Sequence, residues 1–251
     1  MNVIEAILLG IVQGLTEFIP VSSSGHLLLV QQLLGLENNS LAFDVALHGG
    51  TLLALLAIFW RDLVKLAKGF FTKTPETHIA RLIAVATIPA AVVGYFLQDA
   101  AESTFRSSKL VAVNLILVAI FMLVVEYLVK RKKQMKNIDK ITWKEGIAVG
   151  VAQAVAILPG TSRSAMTITT GLLTGVDRVS ATRFSFLLGI PITFGAILKV
   201  FTDDATMDLD ISLVIIGIIT AFASGILAIN FLLKYLKNHS LHIFAYYRIA
   251  L

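Results

Sequence analysis

The sequence contains no cysteine, which excludes disulfides, thiolate-ligated metals and thiol chemistry. Charge is scarce as well: Asp, Glu, Lys and Arg make up 15% of the 251 residues, against roughly 25% in soluble domains. The first residues lack the basic start of a cleavable leader. Met1 to Ile4 carries no Lys or Arg, Glu5 is acidic and no small-residue cleavage motif follows, so this segment is expected to belong to the mature protein. Apolar residues fill the space, at 57% of the chain and a mean hydropathy of +0.83. That balance describes an all-α polytopic membrane protein. The net charge of +5 is concentrated in a few loops, where it reports topology; no nucleic-acid partner is expected.

A helix needs ~20 apolar residues to cross a bilayer. Five runs meet or approach this: Val45 to Trp60, Leu82 to Leu97, Leu110 to Val129, Phe184 to Phe201 and Ile211 to Leu233. Two further segments, Val3 to Leu36 and Gly146 to Val176, are apolar, then broken by Pro, Gly and Ser/Thr, then apolar again. Broken helices at membrane depth are tolerated only where protein buries them or they line a wet cavity. Arg61 to Arg81 and Lys130 to Lys144 are rich in Lys and Arg and are expected in the cytoplasm, whereas Asp203 to Asp210 is acidic and is expected outside. Alternation of the spans then makes the second interrupted segment a re-entrant helical hairpin entering from the cytoplasm; the first either crosses twice or is a hairpin entering from outside, and the length of its two apolar arms suits the hairpin better.

The two halves match at an offset of about 140 residues: Gly10 to Gln13 with Gly150 to Gln153, Pro20 with Pro159, Ser22-Ser23 with Thr161-Ser162, Gly35 with Gly175 and Phe43 with Phe184. The expected architecture is therefore one membrane domain with an inverted-topology repeat, each half a hairpin plus about three spans. Repeat 1 covers about 1–130, a basic cytoplasmic loop about 130–144 and repeat 2 about 145–251. By this count the last helix is expected to be incomplete, or else its remnant, with Arg248, stays at the interface.

The polar residues inside the hairpins carry the chemistry. Gln13 and Glu17 lie four apart and share a helix face, offering an amide oxygen and a carboxylate to a hard divalent cation, Mg²⁺ or Ca²⁺. Glu17 can equally cap local amides, or serve as a general base. Ser22, Ser23, Ser24, Gly25 and His26 open a helix whose N-terminal amides attract phosphate, and serine beside histidine is a nucleophile-and-base pairing. Helix capping alone also explains such a cluster.

In the second hairpin, Pro159-Gly160-Thr161-Ser162-Arg163-Ser164 places an arginine between apolar arms, where it needs an anion. Phosphate suits its fork, and so does Glu17 across the repeat interface when no ligand is bound. The turn around Gly160 can add backbone donors. His48, beside Gly49-Gly50, fits close helix packing; His78, His239 and His242 fit the interfaces; Arg178, Arg183 and Lys199 fit snorkelling or topology.

QGLTEFIPVSSSGH (Gln13 to His26) and PGTSRSAMT (Pro159 to Thr167) together resemble the bacterial undecaprenyl-diphosphate phosphatase family linked with bacitracin resistance, and the likeness runs from Ile7 to Tyr247. The resemblance implies removal of the terminal phosphate from undecaprenyl diphosphate, recycling the carrier lipid of cell-wall synthesis at an outward-facing site of the bacterial inner membrane. It implies Glu17 as the essential acid, Ser23 as nucleophile, His26 as the motif histidine, Arg163 and Ser162 on phosphate, and Ser22 and Thr167 as supporting contacts. Ser24, Gly160 and Ser164 complete the substrate-binding set. Gln13 stands where some members have Glu, which leaves the metal's ligand set thinner here. A polyprenyl diphosphate and the bilayer are the partners expected, and a homodimer is compatible. The alternative reading is an inverted-repeat transporter or lipid flippase. The phosphatidate-phosphatase type shares the SGH and SR fragments, but six residues past Arg163 stands Thr169 and not a histidine.

Overall fold

The computed structural model describes residues 1–36, 41–70, 75–103, 107–130, 135–202 and 210–251. Among these the elements are α1 (Val3–Phe18), α2 (Ser23–Leu33), α3 (Leu41–Phe70), α4 (Pro75–Ser103), α5 (Ser108–Val129), α6 (Trp143–Val155), α7 (Arg163–Thr174), α8 (Arg178–Thr202), α9 (Ile211–Tyr235) and α10 (His242–Ala250), with a 3-10 turn at Ile138–Lys140. The five runs expected to span lie within α3, α4, α5, α8 and α9, which are long and apolar enough to cross a membrane. Their outer faces expose Tyr95, Phe96, Ile211 and Leu227, an arrangement costly in water and natural in lipid. The chain is an all-helical integral membrane protein.

Each interrupted segment folds as two short helices around a turn. α1 begins with a capping box, Asn2 Oδ1 accepting from the Glu5 amide at 3.0 Å and Glu5 Oε2 from the Asn2 amide at 2.7 Å. It ends because Pro20 disfavours the helical region for Ile19, which is extended at φ −66°, ψ 135°. α6 starts alike, with Glu145 reaching back to the Thr142 amide at 2.7 Å, and α7 stops at left-handed Gly175. α1 packs along α9 and α6 along α4. Glycines at equivalent places allow both approaches: a Cβ on Gly10 would lie 2.7 Å from the Gly217 carbonyl oxygen, and one on Gly150 only 2.2 Å from that of Ala86. Between them Phe18, Phe59 and Phe186 meet edge to face, at 5.3 Å for Phe18–Phe186 and 6.2 Å for Phe59–Phe186, tying α1 and α3 to α8.

Arg178 and Arg183, for which snorkelling was expected, are paired with carboxylates. Buried Glu126 on α5 accepts from Arg178 Nε at 3.0 Å, from Arg178 Nη2 and from the Leu241 amide at 2.8 Å. Arg183 reaches Asp62 at 2.9 Å. Both carboxylates lie near the helix ends expected on the cytoplasmic side, within reach of the arginines that open α8. α10 packs along α5 and buries Arg248 to 1% exposure, while Ile243, Tyr246 and Ile249 face outward.

Candidate active site

The two turns that interrupt the short helices have the same construction. Ser22 caps α2 at φ 78° and Ser162 caps α7 at φ 71°, the two non-glycine residues with positive φ among the described residues. Such conformations cost roughly 1–3 kcal/mol each and persist where the surroundings over-determine them. Ser22 Oγ accepts from the Gly25 amide at 3.3 Å and lies 3.2 Å from Ser24 Oγ; Ser162 Oγ accepts from the Ala165 amide at 3.2 Å and lies 3.2 Å from Ser164 Oγ. The geometry pairs Ser22 with Ser162, a shift of one from the sequence pairing of Ser22 with Thr161. Ser23 and Arg163 are therefore counterparts, each the first residue of its helix.

The turns meet at Glu17, which is 8% exposed. Its Oε1 accepts from Arg163 Nη2 at 2.7 Å, and its Oε2 accepts from Ser23 Oγ at 2.7 Å and from Gln13 Nε2 at 3.1 Å. Side chains from three places in the chain, not local amides, satisfy this carboxylate. Arg163 fits because α8 carries Gly189 beside it: a Cβ there would lie 1.5 Å from Nη1. That Nη1 is buried with no hydrogen-bond partner among the described residues. The guanidinium thus has one arm on Glu17 and another tucked against Gly189 without a hydrogen-bond partner, a cost that a further acceptor would relieve.

A cavity of about 680 Å³ opens over this centre. Glu17, Ser22, Ser23, Ser24, Ser162 and Arg163 line its polar end, while Leu27, Leu28, Ala90, Ala91, Ile157 and Pro191 form apolar walls. The volume and the small polar cluster suit a ligand pocket.

Other expected residues lie behind the wall. Thr167 is fully buried and binds the Arg163 carbonyl at 2.7 Å and Ser185 Oγ at 2.6 Å, so it braces the start of α7. Ser164 Oγ donates to the Ile19 carbonyl at 3.4 Å, and Gly160, at φ 88°, donates its amide to Ser24 Oγ at 3.4 Å; both join the two turns. His26 is not brought to Ser23. Four residues after Ser22 on the same helix, its ring folds back onto the Ser22 carbonyl (Nδ1 to O, 2.7 Å), and its Nε2 meets Tyr247 Oη at 2.8 Å. Glu17 occupies the place beside Ser23 that a base would take.

His48 was missed as a site residue. Its Nδ1 lies 2.9 Å from Gln13 Nε2 and 3.5 Å from Glu17 Oε2, and the ring lines the cavity. Because the Gln13 nitrogen donates to both neighbours, its Oε1 faces away and is buried without a partner among the described residues. No group of three His, Cys, Asp or Glu that could hold a metal occurs among them. With its nitrogen toward Glu17, the Gln13 amide turns Oε1 away from that carboxylate; only the reversed amide would set an oxygen beside Glu17 for a hard cation of the Mg²⁺ kind, which commonly takes one or two carboxylates together with substrate phosphates.

Fold and site together define an integral membrane protein that presents a carboxylate, a hydroxyl and an arginine to an anion beneath apolar walls. The chain belongs to the bacitracin resistance protein family: the family model described as Bacitracin resistance protein BacA matches residues 6–251. It is 46% identical over 255 residues to an undecaprenyl-diphosphatase of Desulforudis audaxviator, covering 100% of this chain and 95% of the relative. Proteins of the same name from Chloroherpeton thalassium and Methanosphaera stadtmanae are 40% and 41% identical, with 100% and 98% of this chain and 94% of each relative covered.

Proposed function

We propose that this chain hydrolyses undecaprenyl diphosphate to undecaprenyl phosphate and phosphate, recycling the carrier lipid of cell-wall synthesis. The observation that carries the reading is the carboxylate of Glu17 bound at once to Ser23 Oγ and Arg163 Nη2, each at 2.7 Å, at the polar end of an apolar cavity. The prenyl chain lies along the apolar walls and the diphosphate meets the N-termini of α2 and α7, whose amides and dipoles favour negative charge. Arg163 turns from Glu17 to the phosphate oxygens. Glu17 takes the Ser23 proton as Oγ attacks the terminal phosphorus, and the anhydride P–O bond breaks with its electron pair leaving on the lipid phosphate. Glu17 passes that proton to the departing lipid phosphate, then takes a proton from the attacking water and returns it to Ser23 Oγ as the phosphoserine P–O bond breaks and phosphate leaves.

Positioning and charge neutralisation supply most of the acceleration in phosphoryl transfer, so Arg163 is the largest contributor. With the Gln13 amide reversed, Gln13 and Glu17 would hold Mg²⁺ or Ca²⁺, which would supply screening of the diphosphate charge. His48 positions Gln13. Ser22, Ser24 and Ser162 face the ligand, while Gly160, Ser164 and Thr167 hold the turns, and His26 secures the Ser22 carbonyl.

The matched turns, with Ser22 equivalent to Ser162 and Gly10 to Gly150, support the inverted repeat of about 1–130 and 145–251 and the reading of α1–α2 and α6–α7 as re-entrant hairpins. With the basic loops in the cytoplasm of a bacterial inner membrane, the cavity residues Asp44, His48, Tyr95 and Lys199 fall in the outer halves of their helices. The site then faces outside.

Purified protein in detergent is expected to release phosphate from a polyprenyl diphosphate. Absence of release, with translocation of the lipid across vesicles, would support the transporter reading instead.

A further inference from the structure

Both strained turns are held from behind by consecutive residues of α10. On one side, Tyr247 Oη meets His26 Nε2 at 2.8 Å, with the two rings stacked at 5.6 Å and 9°. A carbonyl oxygen only accepts, so His26 Nδ1 carries the proton donated to Ser22 O at 2.7 Å; in the neutral ring Nε2 then accepts from the Tyr247 hydroxyl. The chain of contacts Tyr247, His26, Ser22 fixes the carbonyl of the residue at φ 78°.

On the other side, Arg248, 1% exposed, donates from Nη2 to the Gly160 carbonyl at 2.8 Å and the Thr161 carbonyl at 3.2 Å. These immediately precede Ser162 at φ 71°. The same guanidinium is anchored to α5, through Nε to Leu115 O at 3.2 Å and Nη2 to Asn114 O at 3.4 Å. Asn114 in turn donates its side-chain amide to Pro159 O at 2.7 Å. Three successive carbonyls of the second turn are thereby occupied. Neither Tyr247 nor Arg248 lines the cavity.

We propose that Tyr247 and Arg248 are paired positioning residues: α10 clamps the two catalytic turns against each other, Tyr247 setting Ser23 through His26 and Ser22, and Arg248 setting Arg163 through Gly160 and Thr161. This rests on the phosphatase reading for its kinetic consequence but not for its structural one. The distance between the Ser23 hydroxyl and the phosphate held by Arg163 depends on both turns at once. A clamp that touches neither reacting group therefore acts on kcat and leaves KM nearly alone. Lysine can place one ammonium where Nη2 lies but has no donor at the position of Nε, so it loses the hydrogen bond to Leu115 O that fixes the side chain on α5.

The test uses the full-length protein, purified as wild type, Tyr247→Phe and Arg248→Lys, with two readouts. Backbone amide exchange without substrate is expected to rise at residues 21–27 in Tyr247→Phe and at residues 158–164 in Arg248→Lys, each variant loosening chiefly its own turn. Phosphate release from a polyprenyl diphosphate is expected to show kcat lower by on the order of 10²-fold, the cost of a misplacement of about 1 Å, with KM within about twofold of wild type. Unchanged exchange at both turns, or equal loosening throughout the chain, overturns the clamp. So does wild-type kcat in both variants. A wild type that releases no phosphate overturns the function instead, and the exchange data then decide the clamp alone.

Discussion

Glu17 and Arg163 are separated by 146 residues and meet through a 2.7 Å hydrogen bond between Oε1 and Nη2, both side chains largely withdrawn from solvent. In an apolar setting each charge makes the other tolerable. On the proposed mechanism a phosphate competes with Glu17 for the guanidinium and frees the carboxylate as it binds. On that reading the ligand-free protein holds base and anion receptor together until the substrate separates them.

Replacing the arginine removes the receptor. Arg163→Ala is expected to lower kcat by about 10³-fold or more, the range found for arginines that neutralise a transferring phosphoryl group. Arg163→Lys should recover only part of this, because it lacks the bidentate fork. Phosphate release from purified variants, with circular dichroism to verify folding, measures both.

Glu17→Gln keeps the shape of the centre and removes its base. The expected loss in kcat is about 10²- to 10⁴-fold. His48→Ala should cost less, because His48 acts through Gln13, and initial rates for the two variants side by side establish the order. A Glu17→Gln enzyme as fast as wild type would assign the base elsewhere.

Gln13 makes cation dependence a sensitive readout. Chelation is expected to abolish activity and added Mg²⁺ or Ca²⁺ to restore it. Gln13→Glu adds a second carboxylate, so half-maximal activity should come at a lower cation concentration than in wild type. Activity titrated against free cation distinguishes a shift to lower concentration from none.

The Glu126–Arg178 pair predicts stability and not catalysis. Glu126→Leu leaves Arg178 and the Leu241 amide without their shared acceptor and is expected to destabilise the fold by roughly 3–5 kcal/mol, as loss of one partner of a buried pair does. The double variant Glu126→Leu with Arg178→Met should be more stable than Glu126→Leu alone. Thermal unfolding in detergent reads the difference.

The spans and breaks of the fold were legible in the sequence because bilayer thickness and proline impose local rules. Apolar length located α3, α4, α5, α8 and α9, and Pro20 and Pro159 located the turns. The motifs supplied Glu17, Ser23 and Arg163, and the structure brings all three together. His26 was legible as a polar oddity, but its direction was not: the ring turns onto the backbone four residues earlier and away from Ser23. His48, Tyr247 and Arg248 escaped because each acts across a tertiary contact. His48 meets Gln13 over 35 residues, and Tyr247 meets His26 over 221. Arg178 likewise read as a topology signal until α5 placed Glu126 against it.

The most direct test is rapid quenching of wild-type turnover with a polyprenyl diphosphate labelled in its terminal phosphate. The account predicts label on Ser23 as phosphoserine, formed and lost fast enough to sustain kcat, and a loss of turnover in Ser23→Ala on the order of 10³-fold or more. Wild-type turnover by Ser23→Ala, with no labelled serine at any time, would contradict it.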